Sequence, residues 1–466
     1  MTELALLPAT EQRRLARSGQ VSARDLVTSA LDQLKAHNGE LNAVVTVNER
    51  ALDDASALDE KAARGEDPGL LYGLTAGIKD ITEVAGLRTT YGSELYRDSV
   101  ADEDALIVER LRRAGAVILG KTNTPEFATG GNTFNEVFGR TLNPWNPDRS
   151  AGGSTGGGAA ALVRGIIALA EGTDLGGSLR IPASFCGVVG LRPSPGFVPT
   201  WPSSFLWDSY QVTGGMARTA RDLALMLQAV AGPDPRSPMA QPMAGRDLIA
   251  AVDAATLRGR KVAYCPDFVG IGIDGEVEAV CRRAAFALED RGAIVEEIDF
   301  DLSWAWQPFL AIRGYWMLAQ QHHRLEHIDG MGDNLAGNIR RGLDTGMGAL
   351  GAAEQIRSRL WREMVDFFGR FDHLLTPTMA VPPFPVTENY PSTVGGREME
   401  TYIDWVAPTF VLSLTGLPVA SVPAGFDPSG LPCGLQIVAP PRGEEKALAT
   451  AALIHGITAA EAPPLP

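Results

Sequence analysis

Short runs of apolar and β-branched residues recur at Val44 to Val47, Leu74 to Ile78, Ala116 to Leu119, Ile166 to Ala170 and Val188 to Leu191, separated by helical segments such as Asp104 to Arg113. Runs this short with no polar face suit strands covered on both sides, and their alternation with helices predicts an α/β fold around a buried sheet. Ser22 and Asp25 stand before Leu26, Val27, Ala30, Leu31 and Leu34, an N-cap ahead of an amphipathic stripe, which predicts a helix there. From about Pro233 to Phe371 the pattern turns helical and richer in tryptophan, and strand-like runs return at His373 to Thr376, Val419 to Val422 and Gly434 to Val438. This predicts a helical insertion, or cap, on a single sheet. A length of 466 residues leaves one large domain or two open.

Composition narrows the function. Apolar residues make up 45% and charged residues 21% of the chain, and the longest apolar run, Ala159 to Ala170, is broken by Arg164, so no membrane span is expected. Met1 to Arg14 carries Glu3 early and lacks the basic-then-apolar order of a secretory signal, so a cytoplasmic protein is expected. Cys186, Cys265, Cys281 and Cys433 are dispersed, which suits reduced thiols. A net charge of −15 with no basic run disfavours nucleic acid and points to small-molecule chemistry.

Three pattern matches fail on context. Gly115 to Thr122 has P-loop spacing, but its variable positions are themselves the apolar run and cannot form a flexible phosphate cradle. Gly152-Gly-Ser154-Thr-Gly156 has nucleophile-elbow spacing, yet the loop Asn143 to Ser150 precedes it where a strand is required. His323 and His327 have the spacing of two zinc ligands, but the stretch lacks a zincin glutamate and a third ligand cluster, so a surface helix face is expected and no metal site.

The informative feature is a pair of glycine-framed serines, in Ala151 to Gly158 and in Thr173 to Arg180. Alone, either reads as an ordinary turn. Together they allow backbone N–H groups to converge beside a nucleophile, as an oxyanion hole requires. Lys79 ends the run Tyr72 to Asp80, where a snorkelling lysine is the ordinary reading. Burial there would lower its proton affinity far enough for a general base, and in an extended segment Asp80 would point to the opposite face.

These segments resemble the amidase signature family. The likeness is dense from about Tyr72 to Gly232: Gly-Ile-Lys79-Asp, the stretch through Lys121 to Phe127, Arg140 to Asn146, Gly-Gly-Ser154-Thr-Gly-Gly, and Gly-Thr-Asp174-Leu-Gly-Gly-Ser178-Leu-Arg180. It returns more weakly at Leu374 to Thr378 and Gly416 to Gln436, and none is claimed from about Asp234 to Arg370. The resemblance implies a single large α/β/α domain around a mixed, mostly parallel sheet, with residues 1–70 an N-terminal helical segment, 71–232 the signature core, 233–370 a variable helical insertion and 371–466 the rest of the core. It implies Ser178 as nucleophile, Ser154 as relay with an unusual cis peptide bond, and Lys79 as ultimate base. The N–H groups of Leu175, Gly176, Gly177 and Ser178 would form the oxyanion hole. Gly130, Gly131, Trp207 and Trp316 are the expected substrate contacts, with no metal or organic cofactor. Two departures, Thr155 for a common serine and Leu175 for a common threonine, leave a hydroxyl and a backbone donor in place.

The implied activity is hydrolysis of amide-type C–N bonds in small anilides, aliphatic amides and carbamates, with esters as further substrates, by a monomer or homodimer. An ammonia-supplying component of an amidotransferase, working with a partner chain, is the alternative. A silent binding module on the same fold is the third.

Overall fold

Ser22 caps the first long helix: its side chain accepts from the Asp25 N–H while Asp25 accepts from the Ser22 N–H, which fixes the start of α1 (Ala23–Leu41). The structure, a computed structural model, describes residues 2–459. Eleven strands form one sheet: β1 (Val44–Val47), β2 (Thr75–Lys79), β3 (Val117–Thr122), β4 (Leu169–Asp174), β5 (Val189–Arg192), β6 (Val212–Ala217), β7 (Lys261–Tyr264), β8 (Ile294–Glu297), β9 (His373–Pro377), β10 (Val419–Phe426) and β11 (Pro432–Val438). Their spatial order is β1-β3-β2-β4-β6-β5-β10-β11-β9-β7-β8.

The sheet is mixed as expected, but it is not mostly parallel. Only β2 with β3, β2 with β4, β7 with β8 and β7 with β9 run parallel; the pairs across the centre, from β4 to β9, are all antiparallel. One cause is β10 and β11, which a short turn joins as a hairpin, a connection that only an antiparallel pair allows. Another is β6, whose sequence Val-Thr-Gly-Gly-Met-Ala does not read as a strand because glycine weakens the pattern. The stretch from 233 to 370 also needs correction. It is not a purely helical insertion, since it supplies β7 and β8 to one end of the main sheet.

Alternate residues along the strands bury into different cores, the mark of a sheet covered on both faces. Ile118, Leu169 and Val189 join one core, with helices Ala220–Val230, Gly275–Phe286 and Glu444–Thr458. Val117, Leu119 and Ala170 face the other way, against α1 and α2 (Gly156–Val163). On that same side Leu374, Val419 and Val438 pack under α4 (Trp306–Gln321), α6 (Met347–Phe368) and α7 (Ala407–Leu414). α3 (Arg180–Cys186) lies fully buried between these two cores, and α5 (Asp333–Asp344) packs on α4. Among the described residues no helix is long and apolar enough to cross a membrane.

Candidate active site

Because β2 and β4 are parallel neighbours, their carboxyl ends lie side by side, and Lys79 at the end of one meets Thr173 at the end of the other. Ile78 packs into the core beneath one face, so alternation turns Lys79 toward the opposite face, where α2 and α3 begin. Lys79 Nζ donates to Ser154 Oγ at 2.7 Å and to Thr173 Oγ1 at 3.1 Å. Lys79 and Ser154 have no solvent exposure. Asp80 does not compete for the amine: its ion pair, at 3.4 Å, is with Lys121.

Ser154 stands just before α2, and the Gly153–Ser154 peptide bond is cis. Glycine frames it because the backbone there is crowded. A Cβ on Gly153 would lie 2.9 Å from the Gly130 carbonyl oxygen and one on Gly157 2.4 Å from the Asn123 nitrogen. No other residue fits.

Ser178 follows β4 in the turn that leads into α3 and, unlike Ser154, is partly exposed. Asp174 shapes this turn. Its carboxylate accepts from the N–H groups of Gly177 (2.9 Å) and Leu179 (3.2 Å), and it pairs with Arg180 at 2.9 Å and Arg192 at 3.4 Å. Arg180 is in turn fixed by the Thr409 carbonyl, Gln436 and Ser413, so β11 and α7 hold the loop from the far side. Gly177 sits at φ +128°, and a Cβ there would meet Thr409 Oγ1 at 2.3 Å. This arrangement corrects the expected oxyanion donors. The Gly177 N–H is committed to Asp174, while those of Leu175, Gly176 and Ser178 have no hydrogen-bond partner among the described residues.

The electrostatics follow from burial. Desolvation pulls the Lys79 amine down to about 7, against the opposing fields of Glu171 and Asp174. The same desolvation pushes Glu171 upward; its carboxylate accepts from the Lys79 N–H at 3.0 Å and the Thr82 hydroxyl at 3.0 Å. For Asp174 burial would raise the value, but Arg180 and Arg192 outweigh it and hold the group at about 2.

A cavity opens at Ser178, bordered by Gly130, Gly131, Gly153, Leu175 and Gly176. Phe309, Met317 and Trp316 of α4, with Ile403 and Val406, form much of its wall. Trp316 is held by donating from Nε1 to Asp208 Oδ2 at 2.6 Å. A second cavity shares Phe127, Gln211 and Trp316 with the first and reaches Thr173, Glu83 and Arg324. Trp207 lines neither. Its ring is 70% exposed, so the expected contact with substrate is corrected: the residue lies outward in a loop while its neighbour Asp208 turns in.

His322, His323 and His327 sit on a 3-10 helix, His322–Gly330, with none of its residues buried, and among the described residues no group of three or more His, Cys, Asp or Glu side chains is placed to hold a metal. Thr173, Glu171, Asp174 and Arg180 were not read as site residues from sequence. The signal was present in Thr173 to Arg180, where charged residues interrupt a stretch otherwise built of glycine and apolar side chains.

The amidase family model matches residues 25–448. An acylamidase of Rhodococcus erythropolis is 36% identical over 471 residues, covering 98% of this chain and 97% of that protein. A glutamyl-tRNA(Gln) amidotransferase subunit of Desulforapulum autotrophicum is 35% identical, with 94% of each chain covered. Among solved structures, a bacterial aryl acylamidase of the amidase signature enzymes superposes with a TM-score of 0.88 at 31% identity, covering 97% of this chain and 96% of that one. A 6-aminohexanoate cyclic dimer hydrolase gives 0.87 at 28%, with 99% of both covered. The chain belongs to the amidase signature family and is a hydrolase of carbon–nitrogen bonds.

Proposed function

We propose that the chain is a stand-alone acylamidase-type hydrolase of aliphatic amides, anilides, carbamates and esters, working through an acyl-enzyme on Ser178. The observation that carries this reading is the closed contact of Lys79 Nζ with Ser154 Oγ, 2.7 Å, beside a serine open to a cavity. As a neutral base Lys79 accepts the Ser154 proton while Ser154 takes that of Ser178, whose oxygen adds to the substrate carbonyl. The N–H groups of Leu175, Gly176 and Ser178 receive the developing oxyanion, each worth about 3 kcal/mol by analogy with known donors. Collapse breaks the C–N bond as the proton returns from Lys79 through Ser154 to the leaving nitrogen. Water then adds to the acyl-enzyme by the same path and releases the acid.

The acyl group fits the apolar-walled Ser178 cavity. The leaving group fits the second cavity, because Thr173, a partner of Lys79, borders that side. A glutamine-dependent amidotransferase component is the second reading, favoured by the relatives of that name. Against it, the lining of the Ser178 cavity contains no Asp or Glu to meet the α-ammonium group of free glutamine. The test is turnover by the purified chain alone: hydrolysis of a neutral anilide faster than glutamine supports the hydrolase, and activity on glutamine only, with a second protein required, replaces it.

A further inference from the structure

Arg313 stands on α4 in the wall of the Ser178 cavity, with 8% of its surface exposed. Arginine is almost never buried unless paired with an anion, because the desolvated charge is costly. Here the protein supplies only neutral acceptors: Nε donates to Asn338 Oδ1 at 3.0 Å and Nη2 to Tyr402 Oη at 2.7 Å. Among the described residues no carboxylate is in ion-pair contact with it, and Nη1 has no hydrogen-bond partner while still reaching open space.

Tyr402 adds a second donor. Asn338 is oriented without ambiguity, since its oxygen must face the donor Arg313 Nε and its nitrogen the Asn334 carbonyl at 2.6 Å. The same Asn338 nitrogen donates to Tyr402 Oη at 2.6 Å, so the phenol oxygen accepts from both Asn338 and Arg313. Its own hydrogen is left with no acceptor among the described residues, on a side chain that also lines the cavity. Two donors and a positive charge with no anion of their own recognise a group that only accepts.

Phe309, one turn earlier on α4, comes within 3.5 Å of where a Cβ on Gly176 would lie, which brings this face of the helix to the Ser178 turn. Arg313 is the next residue on that face, about 6 Å further along the helix axis. Ile403, Val406 and Met317 offer apolar wall in the same cavity.

We infer that the Ser178 cavity takes an acyl chain ending in a carboxylate, the half-amide of an aliphatic dicarboxylic acid, with the carboxylate held by Arg313 Nη1 and the Tyr402 hydroxyl. This rests on the acyl-enzyme reading above and names its substrate class. It gives the guanidinium in the lining of this pocket an anionic partner.

The experiment measures aniline release from the half-anilides of succinic, glutaric and adipic acids and from their methyl esters, which keep the shape and lose the charge. At the best-fitting length the acid exceeds its ester in kcat/KM by on the order of 100-fold. Arg313→Met and Tyr402→Phe bring that ratio toward one; being a ratio within each variant, it is insensitive to partial misfolding. Wild-type enzyme that cleaves the esters as well as the acids at every length overturns the inference and leaves the acyl-enzyme reading standing. Failure to release aniline from any acid, ester or neutral anilide overturns both.

Discussion

Lys79 and Ser154 touch at 2.7 Å, and neither has any solvent exposure. Burial lowers the Lys79 amine to about 7, and the proposed mechanism uses its neutral form as the base. Activity therefore falls as pH drops below about 7, where the amine is protonated, and reaches its plateau well below the ordinary lysine value near 10.4. Glu171→Gln removes a negative field that raises the Lys79 value, so the acidic limb of kcat/KM shifts to lower pH. Lys79→Ala costs about 10³-fold in turnover at neutral pH. A profile with its limb near 10, or near-normal turnover by Lys79→Ala, would refute the assignment.

Ser178 is open to the cavity and Ser154 is not, so a fluorophosphonate is expected to modify Ser178 alone, as located by peptide mass spectrometry. The cysteines do not compete. All four are buried, and desolvation pushes the thiols up, to about 11 at Cys265 and about 12 at Cys433, which leaves almost no thiolate. Iodoacetamide should leave the folded enzyme active; inactivation by it would contradict this account.

Asp174 binds two buried arginines and two N–H groups of the Ser178 turn, so Asp174→Ala strands both guanidinium charges. A loss of about 3 to 5 kcal/mol is expected, read as a fall in the urea midpoint, together with a drop in kcat. The folded-state value of about 2 lies below the ordinary 3.8 of an aspartate, so this carboxylate stabilises the fold above about pH 4 and loses that contribution as pH falls through about 2. An unchanged midpoint in the variant would show that the cluster is not holding the turn.

The two tryptophans are expected to behave differently. Trp316→Ala enlarges the wall shared by both cavities and should redistribute kcat/KM among acyl and leaving groups by about 10-fold or more. Trp207→Ala, at a ring in solvent, should leave the preference within about two-fold, since surface changes away from such contacts have small effects. Equal shifts from the two variants would argue that the Trp207 loop closes over the substrate.

The three residues proposed to carry the chemistry stood out because each lies in a segment whose glycine and strand pattern is local: Gly-Ile-Lys79, Gly-Gly-Ser154 and Gly-Gly-Ser178 can each be read within a few positions. The strand at Val44 to Val47 and the cap at Ser22 were legible for the same reason. What escaped depends on partners remote in sequence. The commitment of the Gly177 N–H follows from Asp174 being held by Arg192 and Arg180, and Arg180 by Gln436, 256 positions away. The outward turn of Trp207 is likewise set by packing and not by local pattern. Arg313 was invisible as well, since on a helix a single arginine reads as surface until its neighbours are known.

Lys79, Ser154 and Ser178 come from a compact run of chain on β2, at the start of α2 and after β4, whereas one wall of their cavity is lent by α4 from the far side of the sequence. The consequence is evolutionary. Exchanges along the cavity-facing side of α4, at Phe309, Arg313, Trp316 and Met317, can explore new substrates while the proposed proton path is left untouched, so a library confined to that one helical face should yield changed appetites far more often than dead enzymes.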